Sequence, residues 1–281
     1  MENAVSGKVR EVYTLDAKEL VIVTSDRISA FDVILPKTVK GKGEVLNSVS
    51  NFWFDRTKDI VPNHIISTDE TDLPKFFRNE EFTGRCVLVK KLNMLPFEFI
   101  VRGYMFGTMW EAYKTGGELS GIKFKGDFEQ AQILPEPILT PSTKASEGHD
   151  IYVPFTAVSH ELTKKTAEKI RAIAIDLYKS CRDYALTKGI IIADTKFEFG
   201  LDENGNLTLA DEIFTPDSSR FWNAADYKVG ESPKSYDKQF LRDWLLNHKS
   251  DDGEMRFNAI PESVYRKTSE IYQECKERLL S

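Results

Sequence analysis

Residues 190–200 read IIIADTKFEFG, and this stretch constrains the fold more than any other. Three consecutive isoleucines begin as a buried strand does. Asp194, Lys196 and Glu198 then alternate with Thr195, Phe197 and Phe199. Side chains alternate faces along a strand, so one face packs a core and the other presents a row of charges.

The segment that follows, LDENGNLTLADEIF, contains Asn204-Gly205, a two-residue hairpin signal between β-like runs. Such a turn places Glu198 directly opposite Asp211. Two bare carboxylates about 4 Å apart repel by about 4 kcal/mol at an effective dielectric near 20, so the pair needs a cation or a proton. Two readings follow. Lys196 and Arg220 neutralise these acids in a structural ion-pair network, or the acids share an octahedral Mg²⁺ with phosphate oxygens in a nucleotide-using enzyme. Three alternating charges plus an opposed carboxylate favour the site. The next residues, TPDSSRFW, offer Ser218, Ser219 and Arg220 as anion-binding donors beside it.

The chain has 281 residues, enough for one large or two medium domains and a substantial core. With 38 Lys+Arg against 44 Asp+Glu the net charge is −6, which argues against bulk affinity for nucleic acid or an anionic membrane and leaves room for a local basic pocket. Cys86, Cys181 and Cys275 lack CxxC spacing, so neither a disulfide framework nor a zinc site is expected, and Cys181 and Cys275 fall on apolar helix faces. The opening MENAVSGKVR has no apolar signal core and no later run reaches membrane-spanning length, so a reducing cytoplasm is expected.

KVREVYTL and ELVIVTS flank Asp16-Ala17-Lys18 as a hairpin, and GRCVLVKKL adds another strand. Between them Val45, Val49, Phe52 and Trp53 recur at helical spacing. The strongest helix spans about 160–188, with Ile170, Ile173, Leu177, Cys181 and Tyr184 on one stripe and Gly189 as its stop. One C-terminal helix carries Phe240, Leu241, Trp244 and Leu245. The other starts at Pro261 with Val264, Ile271, Cys275 and Leu279 in phase. The lobe boundary falls near KKLNMLP, dividing residues 1–92 from 93–281.

Gly7, Lys8 and Arg10 of SGKVREVY form a glycine-preceded strand entry able to cover nucleotide phosphates. No GxxxxGK[ST] or GxGxxG occurs, so any ATP site is of another design. PFEFIVRGYMFGT sets Glu98 and Arg102 in apolar context, as an internal ion pair or a ligand contact, and Gly103 and Gly107 permit close backbone approach. TSDRISAFD gathers Ser25, Asp26, Arg27, Ser29 and Asp32. TPSTKASEGHD reads as a polar loop with Lys144, His149 and Asp150, an N-cap and a surface imidazole more than a catalytic dyad.

Taken together, GKVREVY, TSDRISAFD, LPFEFIVRGYMFGT, PEPILTPSTKA, GIIIADTKFEFG, DEIFTPDSSRFW and VGESPKSYDKQFLRDWL span nearly the whole chain. In these motifs the chain closely resembles the SAICAR synthetase family of purine biosynthesis, especially its longer, yeast-like form. The resemblance implies an α+β fold in two lobes, an N-terminal antiparallel sheet lobe like a kinase's ATP cover and a larger C-terminal α+β lobe, with ATP in the cleft. It implies an ATP-dependent ligase joining carboxyaminoimidazole ribonucleotide (CAIR) to L-aspartate, with a small-molecule kinase as the alternative. Lys8 and Arg10 would lie at the ATP phosphates, Gly7 beside them, and Lys90 to Met94 against adenine. Arg102, Thr108 and Arg220 would hold the substrate phosphate, with Ser219 also expected to bind substrate, Asp194 and Lys196 would face the substrate, and Glu198 with Asp211 would hold Mg²⁺. L-Aspartate is placed near Asp32 and Lys144, in polar loops otherwise unassigned. Many members carry serine where this chain has Thr108, which keeps the hydroxyl and adds a methyl. The implied partners are these small molecules, and nothing in the sequence requires more than a monomer.

Overall fold

In the computed structural model, which describes residues 4–31, 33–144 and 150–281, the apolar runs of the N-terminal third pair as strands. β1 (Ala4–Ser6), β2 (Arg10–Thr14) and β3 (Glu19–Thr24) form an antiparallel meander. Asp16 closes the β2–β3 turn, its Oδ1 accepting the backbone N–H of Lys18 at 2.7 Å and of Glu19 at 2.9 Å. β4 (Ser29–Ala30) pairs with β5 (Val33–Ile34), and α1 (Lys42–Thr57) follows. Gly43, in the first turn of α1, lies against the Thr24 carbonyl, which an added Cβ would approach to 2.4 Å. β6 (Ile65–Ser67) and β7 (Cys86–Lys90) complete a sheet ordered β1-β2-β3-β7-β6.

The second sheet begins with β8 (Asn93–Tyr104), followed by α2 (Thr108–Lys114), the short pair β9 (Glu118–Leu119) and β10 (Ile122–Lys123), and β11 (Ile133–Thr143). α3 (Phe155–Leu162) and α4 (Lys164–Thr187) lead to β12 (Ile190–Leu201), β13 (Leu207–Ala210) and β14 (Ser219–Asn223). α5 (Gln239–Asn247) and α6 (Glu262–Leu280) end the chain. The sheet order is β11-β8-β12-β13, with β14 also on β12, so the charged strand is central.

Its two faces divide as the alternation requires. Phe197 and Phe199 join Phe97 and Phe99 of β8 in the main core, under Trp53 of α1 and Leu177 and Tyr178 of α4. Each such fully buried ring contributes on the order of 1.5–3 kcal/mol relative to exposure. Gly103 is required here, because Tyr178 donates to the Ile192 carbonyl at 2.6 Å and its hydroxyl would sit 1.9 Å from a Cβ at that position. Cys86, Cys181 and Cys275 are all buried and free.

Three local expectations are corrected. The long helix is two, because Thr163 takes φ +71° between α3 and α4, where its hydroxyl caps the Thr166 N–H at 3.4 Å. Residues 140–143 of the supposed polar loop are strand, paired to Phe97–Ile100. The β12–β13 connection is not a two-residue turn. Asp202 accepts from the N–H of Asn204 and of Asn206, the Gly205 N–H donates to the Asp202 carbonyl, and Gly205 is left-handed at φ +77°. This is a type I turn closed by a left-handed glycine, with three residues between the closing pair.

Backbone pairing joins the two sheets. Leu209 donates to the Pro62 carbonyl at 2.8 Å and His64 donates to the Leu209 carbonyl at 3.0 Å, while Lys90 donates to His64 at 2.8 Å. Residues 62–64 thus link the hairpin that precedes Asp211 to β7. No helix among the described residues is long and apolar enough to cross a membrane.

Candidate active site

The extra loop residue shifts the hairpin register by one. Glu198 faces Ala210, not Asp211, on β13. Its directly opposed carboxylate is on the other neighbour: Glu98 of β8 pairs with Glu198 of β12. Lys196 relieves that repulsion, its Nζ lying 2.7 Å from Glu98 Oε1 and 2.7 Å from Glu198 Oε1. Asp211 leaves the strand at φ +65°, a left-handed conformation that Asp tolerates better than most residues, and its Oδ2 lies 3.9 Å from the same nitrogen. Lys144, just past β11, ion-pairs with Glu198. Burial would depress the Lys196 ammonium, but Glu198, Asp211 and Glu98 outweigh it and hold it above the ordinary lysine range. Burial pushes the Glu98 carboxyl up against the pull of Lys196.

One end of the same face is a row of three. Asp194 stands opposite Arg102 of β8 and opposite Arg220 of β14. Arg102 is 2% exposed and lies 3.5 Å from Asp194, and Arg220 ion-pairs with Asp194 more closely. The Glu98–Arg102 ion pair, one of the two alternatives for these residues, does not form, since each finds its partner on β12. Arg102 also donates from Nε to Thr140 Oγ1 at 2.9 Å and from Nη2 to Tyr152 Oη at 2.9 Å, and Tyr152 lies 3.3 Å from Thr108 Oγ1. Gly107, at φ +58°, lets the backbone pass the Arg220 guanidinium, 2.7 Å from where a Cβ would be. Ser219 is turned to Thr195, donating at 2.8 Å.

Arg10 crosses from the first sheet to this face, 2.6 Å from Asp211 and 2.9 Å from Glu212. Burial would lower its guanidinium, and Asp211 and Glu212 raise it instead. The Gly7 N–H donates to the Arg10 carbonyl at 2.8 Å, so Lys8 sits in a tight turn entering β2. Lys90 and Met94 flank the crossing between sheets, both exposed. Asp32 and His149 lie outside the described residues.

Sequence reasoning missed a buried network behind the row. Asp217 lies 2.8 Å from Lys42 of α1 and 3.0 Å from Lys238, and Tyr272 of α6 donates to it at 2.7 Å. Burial alone would raise the Asp217 carboxyl, but Lys238 and Lys42 hold it well below the usual carboxylate range. A cavity of about 110 Å³ opens there, lined by Asp194, Ser219, Arg220, Asp237, Lys238 and Arg242. The partners come from segments up to 230 positions apart, Lys42 and Tyr272, and no local pattern links them.

Among the described residues, no three His, Cys, Asp or Glu side chains form a metal cage. The convergence of Glu98, Glu198 and Asp211 oxygens on one ammonium nevertheless shows a focus for a cation. Mg²⁺ takes one or two carboxylates with phosphates and water as its other ligands, so this donor set fits it.

The SAICAR synthetase family model matches residues 3–256. The chain belongs to that family. Phosphoribosylaminoimidazole-succinocarboxamide synthase of Lachnospira eligens is 51% identical, across 97% of this chain and 93% of that one. The enzyme of the same name from Chromobacterium violaceum is 46% identical, across 98% and 96%. Among solved structures, the SAICAR synthase of Saccharomyces cerevisiae complexed with SAICAR superposes with a TM-score of 0.87 at 40% identity, over 99% of this chain and 94% of that one. A type 2 SAICAR synthetase in complex with ADP superposes at 0.73 with 27% identity, over 99% and 97%. As a SAICAR synthetase the chain is a ligase with a mixed α+β fold.

Proposed function

We infer that this chain joins the carboxylate of CAIR to the amine of L-aspartate with cleavage of ATP to ADP and phosphate, as a step of purine biosynthesis in the cytoplasm. The observation that carries the reading is the likeness, over nearly the whole chain, to the Saccharomyces cerevisiae synthase solved with SAICAR. The ADP complex of another relative supports ATP as the energy source.

A carboxylate resists nucleophiles. Transfer of the ATP γ-phosphoryl group to a carboxylate oxygen of CAIR gives an acyl phosphate. The aspartate amine then attacks its carbonyl carbon, phosphate departs with that oxygen, and the amine loses a proton. Anions dominate every state on this path, so the protein's part is positioning and charge stabilisation.

Arg102, Thr108, Ser219 and Arg220 hold the CAIR phosphate, and Asp194 and Lys196 face its reacting end. Lys8 and Arg10, with Gly7 giving close approach, meet the ATP phosphates, and Lys90 to Met94 run along the adenine. ATP lies between a lobe of residues 1–92 and one of 93–281. Glu198 and Asp211 hold Mg²⁺, which when bound neutralises charge on the phosphates. Lys144 is on hand for L-aspartate, with Asp32 assigned to the same substrate.

The test is ADP release from the purified chain. ATP should be consumed only with both CAIR and L-aspartate present. Steady ATP turnover to a phosphorylated small molecule without aspartate would replace the ligase with a kinase.

A further inference from the structure

Tyr152 belongs to none of the motifs that mark the family, yet it is fixed at the end of the charged face. Its backbone forms an antiparallel bridge with Ser142 of β11. On either side the Thr143 N–H donates to the Ile151 carbonyl at 2.9 Å and the Val153 N–H donates to the Pro141 carbonyl at 3.0 Å. The sheet therefore sets where the phenol stands.

The Tyr152 oxygen accepts from Arg102 Nη2 at 2.9 Å and lies 3.3 Å from Thr108 Oγ1, with the Arg102 guanidinium carbon 5.6 Å from the ring centroid. A phenol has one hydrogen to give. Its oxygen already accepts from Arg102, so that hydrogen is left for Thr108 or for a ligand. Arg102 is 2% exposed, and its Nη1 makes no hydrogen bond among the described residues, Asp194 standing 3.5 Å away. The row of Arg102, Asp194 and Arg220 carries a net charge of about +1 at neutral pH, against a phosphate monoester of roughly −1.5 to −2. The remaining lone pairs of such a dianion call for uncharged donors; of the hydroxyls beside Arg102, Thr140 gives its hydrogen to the Ile100 carbonyl at 3.3 Å, and Tyr152 and Thr108 are left for a ligand.

We propose that Tyr152 is a ligand of the nucleotide substrate's phosphate, donating its O–H to a phosphate oxygen while its own oxygen holds Arg102 in place. The proposal rests on the reading that Arg102, Thr108 and Arg220 form the phosphate site. Substrate entry then exchanges the Tyr152–Thr108 contact for two contacts to phosphate, and neither hydroxyl changes its charge.

The test is Tyr152→Phe in the full chain, with ribose 5-phosphate as a competitive probe of the phosphate site. KM for the imidazole nucleotide and Ki for ribose 5-phosphate should both rise about 10-fold, the factor that corresponds to ~1.4 kcal/mol. KM for ATP and for L-aspartate should stay within about twofold, as for a single lost contact to one ligand. Unchanged nucleotide KM and ribose 5-phosphate Ki in Tyr152→Phe, with both raised in Arg220→Ala, would overturn the role of Tyr152 and keep the phosphate site. Both unchanged in both variants would overturn the phosphate site itself. A lowered melting temperature with every KM raised together would make Tyr152 structural and also overturn the proposal.

Discussion

Replacing Lys196 by methionine leaves Glu98 and Glu198 opposed across β8 and β12 with no ammonium between them. Both oxygens lie 2.7 Å from the same nitrogen, so they are no more than about 5.4 Å apart. Two unit charges at that separation repel by about 3 kcal/mol at an effective dielectric near 20. Methionine is close to lysine in length, so packing changes little. Urea unfolding of Lys196→Met at pH 8 should therefore show a loss of about 3 kcal/mol, the size expected for a partner removed from a buried ion pair. The loss should shrink as pH falls. Burial already pushes the Glu98 carboxyl up, and without Lys196 it rises further, so the folded variant binds a proton that the unfolded chain does not. Stability gained by a raised carboxyl is present at low pH and lost as pH rises through its folded value. Adding Glu98→Gln should restore most of the stability at pH 8, while the substrate-facing role proposed for the Lys196 ammonium requires that turnover stay low. A Lys196→Met chain within 1 kcal/mol of wild type at pH 8, or one that Glu98→Gln fails to rescue, would refute the reasoning.

Asp211→Asn should keep the fold, since Asn accepts the left-handed backbone at this position and Arg10 retains Glu212 at 2.9 Å. Turnover should fall about 100-fold or more, and normal turnover at low Mg²⁺ would move the metal elsewhere. His64 is 2% exposed, and burial lowers its imidazole from 6.5 to about 4. Its folded value is below its unfolded one, so its contribution is whole above pH 6.5 and fades as pH falls, by about 2 kcal/mol at pH 5 and about 3 at pH 4. Melting of wild type and His64→Gln from pH 7 to 4.5 should converge, and parallel curves would reject this origin.

The faces of β12 were legible because a period of two survives in any sheet. The stripes of α4, α5 and α6 were legible for the same local reason, and their residues fill the cores. The partner of Glu198 was not. A turn one residue longer reassigns every cross-strand neighbour, and the length here is set by Asp202 accepting two N–H groups, a feature that Asn204-Gly205 overshadows in sequence. Glu98 stood in plain view in its apolar surroundings, but only the pairing of β8 with β12 puts it opposite Glu198. Tyr152 and Asp217 gave no local signal, since each acts through residues brought near by the sheets or by α1 and α6.

The ion pairs of the charged face bear on how an acidic protein can hold a cluster of buried cations. Arg10 rests on Asp211, Lys196 on Glu98 and Glu198, Lys144 on Glu198, and Arg220 on Asp194. The ion-pair network that was one reading of these charges is therefore present, and it is built from the same residues as the candidate site. Bare cations buried at these depths would be costly, and bare carboxylates equally so. Pairing them keeps both groups charged and in place, and on the proposed function a phosphate would take over the cations and a metal ion the acids. On that reading binding would proceed by exchange of partners, with desolvation largely met by folding. The site can remain closely packed without ligand, and net charge need not be positive anywhere beyond the pocket.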